Sequence, residues 1–213
     1  MESKRTYRKK PLLLLPTSYE AYLTQKGKAE SLPARVKRGL HRFPYRYRLA
    51  KSFIGIDAYT SISTRDLLGY SAGMKIVLAY TAYEEVLRAA EAMNVRGLVR
   101  QISNEGIANQ LRKNDRFMNV VKEVIVDYET IFYEDDAVNW LAINLKKFIN
   151  KNNDILSLAK VIRNLYAHGE FTSGGVGITS KATQKPFLDI ADEVLKLSDE
   201  VFDRCVMKLE DIR

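Results

Sequence analysis

The sequence predicts an all-α fold: an antiparallel helical bundle of about five main helices behind a basic, irregular N-terminal extension. Three observations predict it. Apolar residues recur at helical spacing through most of the chain after residue 70. Strand-like alternation is scarce, and Asn, Asp and Gly fall between the apolar segments, where helix caps and stops belong. At 213 residues, 46% hydrophobic and 28% charged, the chain is long enough to bury one substantial core. The expected organisation is an extension over 1–69 and a bundle over 70–213.

The first long helix is expected over 70–93, where Met74, Val77, Tyr80, Val86, Leu87 and Ala90 keep helical spacing and Gly73 is the one glycine. Asn114 or Asp115 is placed to cap a second helix, with an apolar face of Phe117, Val120, Val121, Val124, Ile125 and Tyr128. Asp135 or Asp136 is placed to cap a third, which carries Val138, Leu141, Leu145, Phe148 and Ile149 and is broken by the polar run 150–153. Asp154 then precedes a fourth helix with the stripe Ile155, Leu158, Ala159, Ile162, Leu165 and Tyr166, and Gly169 suits the left-handed turn that ends a helix. After a connection over 170–180 that holds Gly174, Gly175 and Gly177, a fifth helix is expected from Pro186 almost to the terminus. In the N-terminal third Pro11, Pro16, Pro33 and Pro44 divide the chain, so only short helices are expected there, around 19–25 and 34–41.

Composition excludes several classes. The apolar run Leu12 to Leu15 lies between prolines and is far short of the roughly 20 residues that span a bilayer, so no membrane helix is expected. The basic N-terminus lacks the apolar stretch and cleavage site of a secretory signal, and a cytoplasmic location is expected. The single cysteine, Cys205, occupies an apolar-periodic position and reads as a buried structural thiol.

Net charge is +8, unevenly placed. Residues 1–51 hold fourteen Lys or Arg against three acids, a balance of +11, and the remainder hold twenty against twenty-three, or −3. Within the basic part, Arg42, Tyr45, Arg46, Tyr47 and Arg48 alternate cations with aromatics, a pattern suited to tracking an RNA backbone while rings stack on bases. The same pattern also suits packing onto a neighbouring surface.

The candidate site is Arg163-Asn164-Leu165-Tyr166-Ala167-His168-Gly169. Arginine grips a phosphate through a planar fork of donors, and histidine titrates near neutral pH, so the pair suits work on a phosphodiester. Arg35 and His41 repeat the loose spacing. Context separates the two: Arg163 closes an amphipathic helix, Asn follows it, and a Gly stop follows His168. With two histidines and one cysteine, the chain offers no recurring metal-ligand spacing, and no metal or cofactor is expected. The Gly174 to Gly177 run lacks the Lys-Ser/Thr of a P-loop.

The Arg163-Asn164 pair, with His168 after four intervening residues, resembles the motif of the HEPN superfamily. A fainter likeness lies in Tyr80-Thr81-Ala82-Tyr83-Glu84-Glu85 of the first long helix. The resemblance implies a helical bundle with the motif at the end of a late helix, ahead of a final helix. It also implies a metal-independent endoribonuclease acting as a homodimer with a composite site, in which Arg163, Asn164 and His168 are catalytic. RNA would be the substrate, and an antitoxin protein a partner if the chain is the toxin of a toxin-antitoxin or antiviral system. Other members are catalytically inactive modules that bind RNA or protein. One subgroup carries a Tyr two residues after the His, where this chain has Glu170.

At 100° per residue Asn164 and His168 lie within about 40° of each other, whereas Arg163 and His168 are about 140° apart on an ideal helix. Unwinding at Gly169, a long reach by Arg163, or complementary groups from two protomers would reconcile them, the dimer most simply. The reaction expected is attack by the RNA 2′-hydroxyl, with His168 as general base or acid, Arg163 on the phosphate, and Asn164 orienting His168 or donating to a phosphate oxygen. Glu84 and Glu85 are placed to tune the site, with at least one expected on a solvated face or in an intrahelical pair.

Overall fold

The computed structural model describes residues 14–57, 62–95, 105–131, 136–150, 155–167, 178 and 180–212. Among the described residues the protein is an all-α helical bundle. Its helices are α1 (Tyr19–Thr24), α2 (Lys26–Glu30), α3 (Ala34–Ser52), α4 (Thr64–Ala92), α5 (Glu105–Arg112), α6 (Asp115–Ile131), α7 (Asp136–Ile149), α8 (Ile155–Ala167) and α9 (Lys181–Glu210). None of these helices is long and apolar enough to cross a membrane.

The central element is α4, at 29 residues about 43 Å long. It starts six residues earlier than the apolar stripe suggests, because the Ser63 hydroxyl accepts from the Asp66 N–H at 3.1 Å and caps the first turn. It ends where Asn94 takes φ 58° and the Val95 N–H donates to the Ala90 carbonyl at 2.8 Å, a left-handed stop that Asn tolerates. Helices α3, α8 and α9 all pack on α4.

On one side, Gly39 of α3 lets the helix backbones meet: a Cβ there would lie 2.7 Å from the Glu85 carbonyl oxygen. On another, α9 brings Phe202 to 4.8 Å from Phe43 and 5.5 Å from Tyr22, ring centre to ring centre. A second aromatic group joins the far helices, with Phe117 of α6 against Phe148 of α7 at 6.3 Å and Phe187 of α9 at 5.3 Å.

Two prolines do not end helices where local rules place a break. The expected short helix over 34–41 runs on to Ser52 through Pro44. Pro44 cannot donate to the Leu40 carbonyl, yet Val36, Leu40, Phe43, Tyr47 and Ala50 are buried on one stripe, and that burial outweighs the lost bond. Likewise α9 begins five residues before Pro186, because Ser180 and Thr183 form a capping box. Asn114 is the cap of α6, accepting from the Phe117 N–H at 3.1 Å. Helix α5, not among the expected elements, buries Ala108 and Leu111. Its Arg112 Nε donates to the Phe148 carbonyl at 2.7 Å and its guanidinium lies over the Phe148 ring.

Candidate functional site

The stripe Ile155, Leu158, Ala159, Ile162 and Leu165 buries one side of α8, as its period predicts. Arg163 and Asn164 therefore fall on the flank, half-buried. The Arg163 Nη1 donates to Asn164 Oδ1 at 2.9 Å, and its Nη2 lies 3.7 Å from Glu84 Oε2 of α4. The Arg163 side chain stays 35% exposed, so part of its fork faces solvent. His168, Gly169, Glu170 and the glycine run 174–177 lie outside the described residues.

Tyr166 fastens this end of α8 to α4. Its ring seats directly over Gly73, where a Cβ would stand 2.5 Å from Cε2, and meets the Tyr70 ring edge-on at 6.5 Å. Burial, with Tyr70 adding, raises the Tyr166 hydroxyl above the ordinary tyrosine value, so it stays protonated at neutral pH. The signal for this contact was present in the sequence as the lone glycine within 70–93. Only the fold says that a ring covers it.

The two adjacent glutamates part ways. Glu84 faces α8 and Arg163. Glu85 is turned toward α3 and buried, its Oε1 lying 3.3 Å from Arg46 Nε and 3.5 Å from Arg88 Nη1. Its pair with Arg88 is intrahelical, one of the arrangements expected for at least one of the two glutamates.

The basic-aromatic segment is split by its own helix. Arg42 and Tyr45 lie exposed on the outer face of α3, and the Arg48 guanidinium sits 5.7 Å from the Tyr45 ring centre. Arg46 leans to Glu85. Tyr47 points inward, 5% exposed against Phe43, and burial, with Asp199 and Asp192 adding, pushes its hydroxyl up to about 12. A ring so placed packs the core and is not offered to a base.

The second Arg-to-His match has structural partners of its own. His41 joins the Tyr22 hydroxyl through Nδ1 at 2.7 Å and Glu30 through Nε2 at 2.8 Å, while Arg35 pairs with Glu91. Among the described residues no group of three or more His, Cys, Asp or Glu side chains is placed to hold a metal. A cavity of about 610 Å³ between α3, α5 and α9 is lined by Asp189, Asp192, Lys185 and Lys196 among others, and includes neither Arg163 nor Glu84. No family model matches the chain, and neither does any curated protein or solved structure.

Proposed function

We propose that the chain is a HEPN-like, metal-independent endoribonuclease whose site is built on Arg163, Asn164 and His168. The observation that carries this reading is the presentation of Arg163: a guanidinium at the last turn of a buried helix, braced by Glu84 and Asn164 and still open to solvent. A brace of this kind fixes the direction of the fork before a phosphate arrives, which lowers the cost of binding it.

In the proposed reaction the RNA 2′-oxygen attacks the adjacent phosphorus. The 2′-O–P bond forms, the P–O5′ bond breaks, the 2′ proton passes to a base and the 5′-oxygen takes up a proton. The products are a 2′,3′-cyclic phosphate and a 5′-hydroxyl. His168 supplies proton transfer at one of these steps and Arg163 neutralises the charge on the phosphoryl oxygens. Asn164, bonded to Arg163, acts by orienting that guanidinium as well as through its remaining donors. A homodimer would supply the second imidazole, a cytoplasmic protein would meet its RNA directly, and an antitoxin would be the natural restraint on a toxin of this type.

A second reading has its own support. The exposed face of α3, with Arg42, Tyr45 and Arg48, suits a catalytically silent module that binds RNA. Purified wild type and His168→Ala, incubated with labelled RNA in EDTA, separate the two. Cleavage by wild type alone is expected, whereas salt-sensitive binding with cleavage by neither protein favours the silent module.

A further inference from the structure

Glu85 is a buried carboxylate, its side chain 4% exposed, and a charge so placed is costly unless it is paired. It is paired twice at one oxygen. Arg46 arrives from α3 and Arg88 from the next turn of α4, and their side chains are 40% and 51% exposed. Each guanidinium has five N–H donors, so a contact to Glu85 leaves most of each fork for something else. Two cations on one anion leave a net charge of +1 at the surface, the complement of a phosphodiester.

The place of this pair matters. Glu84 and Arg88 are four residues apart on α4, so they share a face with an axial rise of about 6 Å. Arg163 is held by Glu84, Arg88 lies about one helical turn further along α4, and Arg46 reaches the adjacent Glu85 from α3. Arg42, exposed and one turn before Arg46, adds a further cation on α3. A single strand gripped at Arg163 would cross α4 onto these groups.

We infer that Arg46 and Arg88, positioned by buried Glu85, form a phosphodiester subsite for single-stranded RNA beside Arg163. The inference rests on the reading of Arg163 as part of an RNA-processing site. The two guanidiniums act on one phosphate, and Glu85 is a positioning residue that holds them together.

The test uses a fluorescent 2′-O-methyl oligoribonucleotide, which cannot undergo 2′-hydroxyl attack, with binding followed by anisotropy across a salt titration. Loss of one single-strand phosphate contact lowers the slope of log K against log salt by about 0.7. Arg46→Gln and Arg88→Gln are each expected to lower it by about that amount and to weaken binding several-fold. The triple variant Arg46→Gln/Arg88→Gln/Glu85→Gln, which leaves no unpaired buried charge, is expected to fall no further than either single. Arg65→Gln removes the same charge about 35 Å away along α4 and is expected to bind as wild type.

Helix content and melting of each variant establish folding, and Arg88→Gln carries the test if Arg46→Gln does not fold. Absence of binding by wild type, or an Arg88→Gln protein indistinguishable from Arg65→Gln, overturns the subsite. If wild type nonetheless cleaves ordinary RNA, the ribonuclease reading stands without it. The expected loss of slope in a protein that cleaves nothing keeps the subsite and removes the ribonuclease.

Discussion

The Arg163 guanidinium lies 3.7 Å from Glu84 Oε2, joining α8 to α4 at the one turn where the candidate motif is presented. About a third of each side chain is open to solvent, so the pair contributes under ~1 kcal/mol to stability. Its value is directional. Glu84→Gln is expected to leave the urea midpoint almost unchanged while cleavage falls about tenfold, equivalent to 1.4 kcal/mol of transition-state stabilisation. Full cleavage by this variant would remove Glu84 from the site.

Gly73→Ala separates propensity from packing. In a helix interior the substitution would ordinarily stabilise by about 1 kcal/mol. Here the new methyl meets the Tyr166 ring, and overpacking costs about 1–3 kcal/mol. The variant is therefore expected to melt below wild type in urea, and Gly73→Ala and Tyr166→Ala to cost less together than the sum of their separate losses. A more stable Gly73→Ala would mean that Tyr166 does not seat on α4.

The tie between α2 and α3 predicts an acid dependence. The hydrogen bond from His41, with Lys37 adding, holds the Glu30 carboxyl below the usual value of 4.5. A lowered folded pKa contributes stability that is full above the unfolded value and lost as pH falls through the folded one. The melting difference between wild type and Glu30→Gln should be largest near neutral pH and shrink below about pH 4.5. A difference that grows on acidification would contradict the assignment.

Cys205 is fully buried and burial pushes its thiol up to about 12. The thiolate fraction at mildly alkaline pH is therefore far below that of an ordinary thiol before access is considered. Iodoacetamide should label the folded protein far more slowly than the unfolded chain. Equal rates would place Cys205 at the surface.

Much of the fold was legible because burial follows period. The stripe from Ile155 to Leu165 is buried as its spacing requires, and Asn114 caps α6 as its position suggests. What escaped the sequence are contacts between distant segments. Pro44 reads locally as a break, and only the packing of Phe43 and Tyr47 against the rest of the bundle carries α3 through it. Glu84 and Glu85 are neighbours about 100° apart on a helix, so spacing cannot say which faces Arg163. That required knowing that α8 lies on one flank of α4 and α3 on another. Tyr47 belonged by composition to a stacking surface, yet the phase of α3 turns it inward.

Catalysis by Arg163 and His168 is tested most directly by end-group analysis of RNA incubated in EDTA with wild type, Arg163→Gln and His168→Ala. Wild type is expected to leave 2′,3′-cyclic phosphate and 5′-hydroxyl ends, with yield lower by about a hundredfold or more in each variant. Wild type that leaves RNA intact, or a His168→Ala protein that produces the same ends at the same rate, would contradict it.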